Sequence, residues 1–404
     1  MTGGWRPSRA RQRATVAVAA VALSLTSSCT TGTRTSDRTA ASVPSTVPTG
    51  RASAATDKPT VRPSKGPSAS SSAAQSSPAE PTSPVPPATA ERVPTGKPVT
   101  IAFGGDVHFE GASRAALDGF GPIADVLGSA DLAMVNLETA VTDGGTPQPK
   151  EFNFRAPASA FVALRKAGVD VATMANNHGM DYGVAGLRDS LVAAAAAKFR
   201  VVGIGTDDAT AFAPYRVTVH GQRIAILGAT QVLDDAFVSA WSAGPGKPGL
   251  ASAKQETRLL AAVRAARLNA DTVVVYLHWG REGAACPTEP QRTLAPRLIA
   301  AGADIVVGSH AHVLLGGGWT DSGAFVDYGL GNFVFYANGG VAAQTGVLVL
   351  TVRGRAVTNA TWKPAVIEGG RPYPVDGGAA ASAVASWERL RGCANLQAHQ
   401  SSAS

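Results

Sequence analysis

From residue 98 onward, the chain alternates short β-branched apolar runs with longer segments rich in Ala and Leu. Runs such as 272–277 have the composition of buried strands, and segments such as 183–198, 251–268 and 289–301 have that of helices. Alternating strands and helices favour a largely parallel sheet with helices on its faces. The pattern therefore predicts an α/β fold or a layered α/β sandwich for residues 98–404.

The first 97 residues have a different composition. They hold 12 Lys/Arg and 4 Asp/Glu, a net charge of +8, whereas residues 98–404 hold 24 and 25, a net charge of −1. The near-neutral remainder argues against a nucleic-acid partner. Residues 30–97 contain no Leu, Ile, Met or aromatic residue and 11 of the 26 prolines, which predicts a disordered linker.

Residues 1–29 have the pattern of an export signal. Four arginines precede the apolar run 14–25, and small residues precede Cys29. The segment resembles a bacterial lipoprotein signal, in which the cysteine is lipidated, and the alternatives are an ordinary cleaved signal or an uncleaved anchor. We expect an extracytoplasmic protein held at the membrane through a lipid on Cys29, or a secreted protein if Cys29 is not lipidated.

Five of the apolar strands end in polar clusters, which contain five of the seven histidines. In open α/β sheets, ligands bind beyond the carboxyl ends of the strands. Carboxylate, amide and imidazole ligands without cysteine suit divalent first-row metals, and a bridging carboxylate allows two metals to lie close together. We predict two divalent ions (Mn, Fe, Zn or similar) held by Asp106, His108, Glu138, Asn177, His278, His310 and His312.

The order of these motifs resembles the calcineurin-like metallophosphoesterases. The resemblance is most specific to the poly-γ-glutamate capsule synthesis CapA family within that superfamily. The sequence segments that resemble this family are GGDVHFEG, NLET, ANNHGMDYGVAGL, HWGRE, AGADIVVGSHAHVLLG and YGLGNFVF. The resemblance covers about residues 99–367. It implies a β-sandwich flanked by helices, in four layers of the order α/β/β/α.

The resemblance also implies a role for each motif residue. Glu138 stands where the superfamily has a bridging aspartate, and His178 would be the general acid near the leaving group. The remaining ligands divide into a first-metal set of Asp106, His108 and His312 and a second-metal set of Asn177, His278 and His310.

Two charged residues near the motifs are candidates for substrate binding. Arg155 would bind an anionic group of the substrate, or it is a solvated loop residue. Glu282 would bind a substrate amine or hold a ligand histidine, or it is a surface acid. If Cys29 is lipidated, Cys286 and Cys393 remain as a pair, for which an oxidising compartment favours a disulfide.

The N-terminal pattern and the polar clusters predict an exported, metal-dependent protein, and the family resemblance implies a role in the synthesis or processing of poly-γ-glutamate capsule or a related anionic envelope polymer. A metallophosphoesterase-like hydrolase that cleaves a phosphoester or an amide is the leading interpretation. The alternative is a non-enzymatic, surface-tethered protein that binds the polymer or assists its export. In either case we expect membrane proteins of polymer synthesis as partners.

Overall fold

The computed structural model describes Arg92, residues 94–337 and residues 339–400. The predicted signal 1–29, Cys29 and most of the predicted linker lie outside these residues. Across the described ranges, no helix is both long enough and apolar enough to span a bilayer.

The described residues form eighteen strands and nine α-helices. The strands are β1 (Pro94–Val107), β2 (Leu132–Leu137), β3 (Ala140–Val141), β4 (Arg155–Ala156), β5 (Val171–Thr173), β6 (Arg200–Val202), β7 (Ile204–Gly205), β8 (Tyr215–Val219), β9 (Gln222–Thr230), β10 (Gly249–Leu250), β11 (Thr272–His278), β12 (Ile305–Ser309), β13 (Gly317–Trp319), β14 (Phe325–Asp327), β15 (Asn332–Val334), β16 (Gln344–Gly354), β17 (Ala356–Glu368) and β18 (Arg371–Pro374). The helices are α1 (Ile123–Gly128), α2 (Ser159–Lys166), α3 (Gly183–Ala196), α4 (Asp208–Ala211), α5 (Asp235–Trp241), α6 (Glu256–Arg267), α7 (Glu289–Ala301), α8 (Gly377–Arg389) and α9 (Arg391–Ala394). Two 3₁₀ segments cover Gly111–Asp118 and Val341–Ala343.

Two large sheets organise these elements. The first has eight strands in the order β18-β17-β16-β1-β2-β5-β6, with β15 also paired to β1. Its β1, β2, β5 and β6 run parallel, and β16 to β18 add an antiparallel half. The second has six strands in the order β13-β14-β12-β11-β9-β8, with parallel pairing from β9 through β11 and β12 to β14.

The sheets pack face to face, with helices on their outer faces. Ile101 and Phe103 of β1 belong to the same buried cluster as Val274 and Tyr276 of β11, whereas the intervening Ala102 points to the opposite face of its sheet. This alternation follows from the two-residue period of a strand. The outer face of the first sheet packs against α1, α2 and α3, and that of the second packs against α6 and α7. The α/β fold with four α/β/β/α layers is therefore confirmed.

Two predicted boundaries differ from the structure. The predicted linker extends to residue 97, but β1 begins at Pro94 because Pro94 pairs with Gly354 of β16 and the Arg353 guanidinium donates to the Gly96 carbonyl at 3.0 Å. The helix predicted over 251–268 begins only at Glu256. Ala251 is extended there, because its N–H and carbonyl bond to residues 203 and 230.

Candidate metal centre

The candidate site lies where the carboxyl ends of β1, β2 and β5 meet those of β11 and β12. Parallel strands end at the same edge of a sheet, so residues far apart in sequence converge there. Three groups of potential ligand atoms have all members within 4.8 Å of one another. They are Asp106–Glu138–His312, Glu138–His278–His310 and Glu282–His310–His312.

Asp106 is held rigidly at the end of β1. Its backbone N–H donates to Gly331 O at 2.9 Å, and its carboxylate accepts from Asn136 Nδ2 at 2.8 Å and from the His310 N–H at 3.1 Å. Burial opposes ionisation, but hydrogen bonding to His312 and the nearby imidazoles outweigh it and hold the pKa of Asp106 well below its usual range. Asp106 is therefore a fixed negative charge.

Glu138, directly after β2, is fully buried, and neither carboxylate oxygen has a hydrogen-bond partner in the described part of the chain. Burial and, second, the charge of Asp106 raise the pKa of Glu138 to about 8. An unpaired buried carboxylate costs free energy unless a cation compensates it. Glu138 Oε1 lies 3.4 Å from the ring nitrogen His278 Nε2. These two ligand atoms suit a divalent cation.

The histidines of the centre differ in charge. Burial lowers the pKa of His278 to about 3 and that of His310 well below its usual value, so both are neutral, the form that binds metals. Burial also opposes a proton on His312, but Glu138 and Asp106 outweigh it and raise its pKa to about 9. Positive charge is thus favoured between the two carboxylates, as a metal site requires.

Asn177 and His278 converge on one point from different sheets. Asn177 Oδ1 lies 2.7 Å from His278 Nε2, and both are atoms that one ion can bind. Behind them, Asn136 Nδ2 lies 2.8 Å from Asp106 Oδ1 and 3.1 Å from His278 Nδ1. Asn176 donates in turn to Asn136 Oδ1 at 2.9 Å. Such outer contacts orient metal ligands.

His178 is built into a different arrangement from the other histidines. Its Nδ1 lies 2.6 Å from Asp181 Oδ2, and Asp181 Oδ1 accepts from Lys150 Nζ at 2.8 Å. The Phe154 ring stacks on the imidazole with centroids 4.0 Å apart and an interplanar angle of 17°. His178 Nε2 is 3.9 Å from Glu138 Oε1. Nδ1 thus faces the carboxylate of Asp181, whereas Nε2 lies on the side of the centre.

His108 lies beside the centre but outside the three groups of ligand atoms. Its Nδ1 accepts from the Glu110 N–H at 3.1 Å and lies 3.0 Å from Ser113 Oγ, whereas Nε2 is buried without a hydrogen-bond partner among the described residues. Its ring contacts the aromatic rings of Phe154 and Phe335. The predicted role of His108 as a ligand stays a prediction.

The two predicted substrate residues occupy different places. Glu282 is brought to the centre, in the group with His310 and His312. Arg155 is exposed and lies with Arg114 at a polar cavity of about 290 Å³ beyond Phe154. The Arg155 N–H donates to Glu110 Oε1 at 3.2 Å, and its guanidinium lies 5.2 Å from the centre of the Tyr182 ring.

Sequence reasoning missed several supporting residues. Lys150 lies in a loop outside the motifs, whereas Asn136 and Asn332 lie within NLET and YGLGNFVF but were given no role at the centre. Asn332 Oδ1 is 2.8 Å from His312 Nδ1 and thereby orients that ring. The signal that could have found Asn136 is its place two residues before Glu138, at the end of the same strand.

Unusual backbone geometry accompanies the ligands after β12. His310 and His312 have φ angles of 93° and 56°, values that residues other than glycine rarely adopt. Such strain persists where the surrounding structure over-determines it, and it is concentrated at functional sites.

The structure joins Cys286 and Cys393 in a disulfide with a Cα–Cα distance of 5.7 Å.

Comparison with known proteins agrees with these motifs. Residues 100–337 match the family model described as bacterial capsule synthesis protein PGA_cap. The capsule biosynthesis protein CapA of Bacillus anthracis is 35% identical over 232 residues, which are 56% of this chain and 54% of that protein. The PGA biosynthesis protein CapA of Bacillus subtilis is 35% identical over 217 residues, 53% of this chain and 55% of that protein. The chain thus spans about half the length of these relatives.

Solved structures show weaker similarity. A phosphatase from Mycoplasma pneumoniae is 16% identical with a TM-score of 0.43, covering 67% of this chain and 95% of its own. A 5′-nucleotidase from Candida albicans is 9% identical with a TM-score of 0.40, covering 75% of this chain and 59% of its own. Neither similarity assigns an activity. The match over residues 100–337 does assign a family, and the chain belongs to the bacterial capsule synthesis (PGA_cap) proteins.

Proposed function

We propose that this protein is an exported, membrane-anchored, metal-dependent hydrolase that processes an anionic envelope polymer by cleaving a phosphoester or an amide. The observation that carries the proposal is Glu138, a fully buried carboxylate with two unpaired oxygens, facing neutral histidines from the second sheet. A cation is the group that satisfies such a carboxylate.

Two divalent ions fit the donors at the centre. Glu138 belongs to two of the three ligand groups, one with Asp106 and one with His278, so it is the residue that would be shared by the two ions. When bound, such ions supply Lewis-acid activation of water and of the bond to be cleaved. His108 and Asn177 complete the proposed ligand set.

The residues of this chain supply the proton transfer. Asp181 Oδ2 lies beside His178 Nδ1 and would stabilise the imidazolium form, whose Nε2–H would give its proton to the leaving group and leave a neutral ring with its proton on Nδ1. Lys150 balances the charge of Asp181, and the stacked Phe154 ring excludes water from one face of the imidazole. We propose His178 as the general acid for these reasons.

The proposed substrate class rests on the family and on the polar cavity at Arg155. The printed names of the two Bacillus relatives refer to capsule and PGA biosynthesis. Arg155 and Arg114 line this cavity together with Glu110 and Asp143, and guanidinium groups bind carboxylates in a planar, bidentate manner. We propose that Arg155 binds an anionic group of the polymer there.

The proposed function is tested with the full-length chain, by metal analysis and a panel of phosphomonoester, phosphodiester and γ-glutamyl substrates. His310→Ala should lower metal content and activity together. His178→Asn should keep the metal and lose about 10²–10⁴-fold in turnover. His220→Asn, at an exposed histidine outside the centre, is the control.

Two outcomes would contradict this proposal. Metal loss in His178→Asn would make His178 a ligand instead of the acid. Unchanged activity in both centre variants, with polymer binding retained, would favour the alternative of a non-enzymatic polymer-binding protein.

The proposed anchoring is tested separately. Cys29→Ala should move the protein from the membrane fraction to the medium or leave an uncleaved precursor. An unmodified Cys29 by mass spectrometry, with unchanged fractionation, would refute the lipid anchor.

A further inference from the structure

Glu282 lies at the metal centre without an identified partner. Its carboxylate and the ring nitrogens of His310 and His312 lie within 4.8 Å of one another. Among the described residues, no hydrogen bond or ion pair involves the Glu282 carboxylate, so these contacts are too long for direct pairing with either histidine. Ligand atoms bound to one ion at about 2.0–2.2 Å lie at most about 4.4 Å apart, so a short movement of this exposed side chain would bring its carboxylate to an ion held by the histidines.

His310, which belongs to the same group as Glu282, has a buried nitrogen without a partner among the described residues. His310 Nδ1 has no hydrogen-bond partner in the described structure, although the residue is only 5% exposed. A buried polar atom without a partner costs free energy and calls for an explanation. A cation shared by His310 and the carboxylate of Glu282 satisfies both groups at once.

The loop that carries Glu282 is held at three points. At its start, Trp279 is buried and its indole N–H donates to Tyr328 O at 2.9 Å. In the middle, the Gly283 N–H donates at 2.8 Å to the carbonyl of Ala311, the residue between the two histidines. At its end, Cys286 is bonded to Cys393 in α9.

Cys393, the other cysteine of the disulfide, lies in α9, which is anchored to the second sheet. The Arg391 side chain, in α9, donates to Gly317 O of β13 at 3.0 Å. The Arg292 guanidinium of α7 donates to the Cys393 carbonyl. The disulfide therefore fixes the exposed Cys286 end of the loop to a rigid part of the fold, four residues beyond Glu282.

We propose that Glu282 is a further carboxylate ligand at the mouth of the metal centre, and that the Cys286–Cys393 disulfide holds it in place. This inference rests on the proposed metal site and adds a residue and a redox dependence to it. Metal affinity then depends on the disulfide, so the centre is complete only where the cysteines are oxidised. An exported chain would acquire its full affinity after leaving the reducing cytoplasm.

The test measures Mn²⁺ affinity of the full-length chain by calorimetry, so it does not depend on knowing the substrate. Glu282→Gln removes the charge at an exposed position and should weaken binding by about 10–100-fold, the range for residues that support a metal site. Glu289→Gln, the same change on the exposed surface of α7, should leave affinity unchanged.

The contribution of the disulfide is tested with Cys286→Ser/Cys393→Ser, which also removes the thiols that could bind metal themselves. This variant should bind Mn²⁺ more weakly than wild type. Adding Glu282→Gln to it should weaken binding no further than Glu282→Gln alone does, because the disulfide acts through Glu282. Circular dichroism of the metal-free proteins identifies any variant that fails to fold, and Glu282→Asp, with its shorter side chain, then tests the ligand role independently through an intermediate affinity.

The outcomes separate the two proposals. If Glu282→Gln binds Mn²⁺ as tightly as wild type while His310→Ala loses it, the ligand role of Glu282 is wrong and the metal centre stands. If the disulfide variant and Glu282→Gln have additive effects, the positioning role of the disulfide is wrong. If the wild-type protein binds no divalent metal, the proposed function itself fails.

Discussion

Replacement of Glu138 by Gln should stabilise the metal-free protein while abolishing its stabilisation by metal. Glu138 is fully buried, and neither oxygen has a partner in the described structure. Without a cation, the folded protein must either protonate this carboxylate or bury its charge. Glutamine has nearly the same shape and no charge, so it removes that cost together with a ligand.

The size of the effect follows from the pKa of Glu138. Burial and Asp106 raise that pKa from 4.5 to about 8. Between these pH values the folded state holds a proton that the unfolded state has lost, so stability falls as pH rises and the whole cost is present above pH 8. The difference of 8 − 4.5 = 3.5 units corresponds to about 5 kcal/mol.

Two effects reduce this gain in the variant. An unpaired buried amide costs about 1–3 kcal/mol. His312 loses one of the two carboxylates that raise its pKa. We therefore expect metal-free Glu138→Gln to be more stable than metal-free wild type by about 2 kcal/mol at pH 8.5, or roughly 5 °C in melting temperature.

The assay is thermal and urea unfolding in EDTA at pH 5 and pH 8.5, repeated with excess Mn²⁺. The advantage of Glu138→Gln should be small at pH 5 and full at pH 8.5, and Mn²⁺ should raise the melting temperature of wild type alone. Glu289→Gln is the control for loss of an exposed charge. The reasoning is refuted if the folded, metal-free variant is no more stable than wild type at pH 8.5.

Three further predictions concern regions around the centre. Burial raises the pKa of Asp327 from 3.8 to about 7, so stability should fall by up to about 4 kcal/mol as pH rises between these values, and urea titrations of Asp327→Asn should lack that part of the pH dependence. Loss of the Cys286–Cys393 disulfide, which joins residues separated by 107 positions, should cost up to about 4.7 kcal/mol in guanidinium unfolding, and an unchanged midpoint would contradict this. Gly105→Ala should destabilise the fold by about 1–3 kcal/mol and lower metal content, because the new Cβ would lie 1.9 Å from Gly331 O. Metal content equal to that of wild type would contradict this, since it would mean that the backbone around Gly331 adjusts without disturbing the centre.

The sequence alone was sufficient for the fold class and the family. Local patterns carry this information, because the buried strands are short β-branched apolar runs and the longer helices are segments rich in Ala and Leu. The placement of Asp106 and His278 at strand ends also followed from sequence, because parallel strands end at a common edge. The start of α6 could not be predicted from the sequence, because backbone hydrogen bonds to residues distant in sequence keep Ala251 out of the helix.

The tertiary structure decided which polar residues share the centre. Glu282 is an example: the sequence offered it as a substrate-binding or surface residue, whereas the structure groups its carboxylate with His310 and His312. Lys150 meets Asp181, 31 positions away, only after the loop before β4 folds against the turn after β5. These contacts depend on how two sheets and their loops pack, and no local pattern of residues encodes distances of a few ångströms between separate strands.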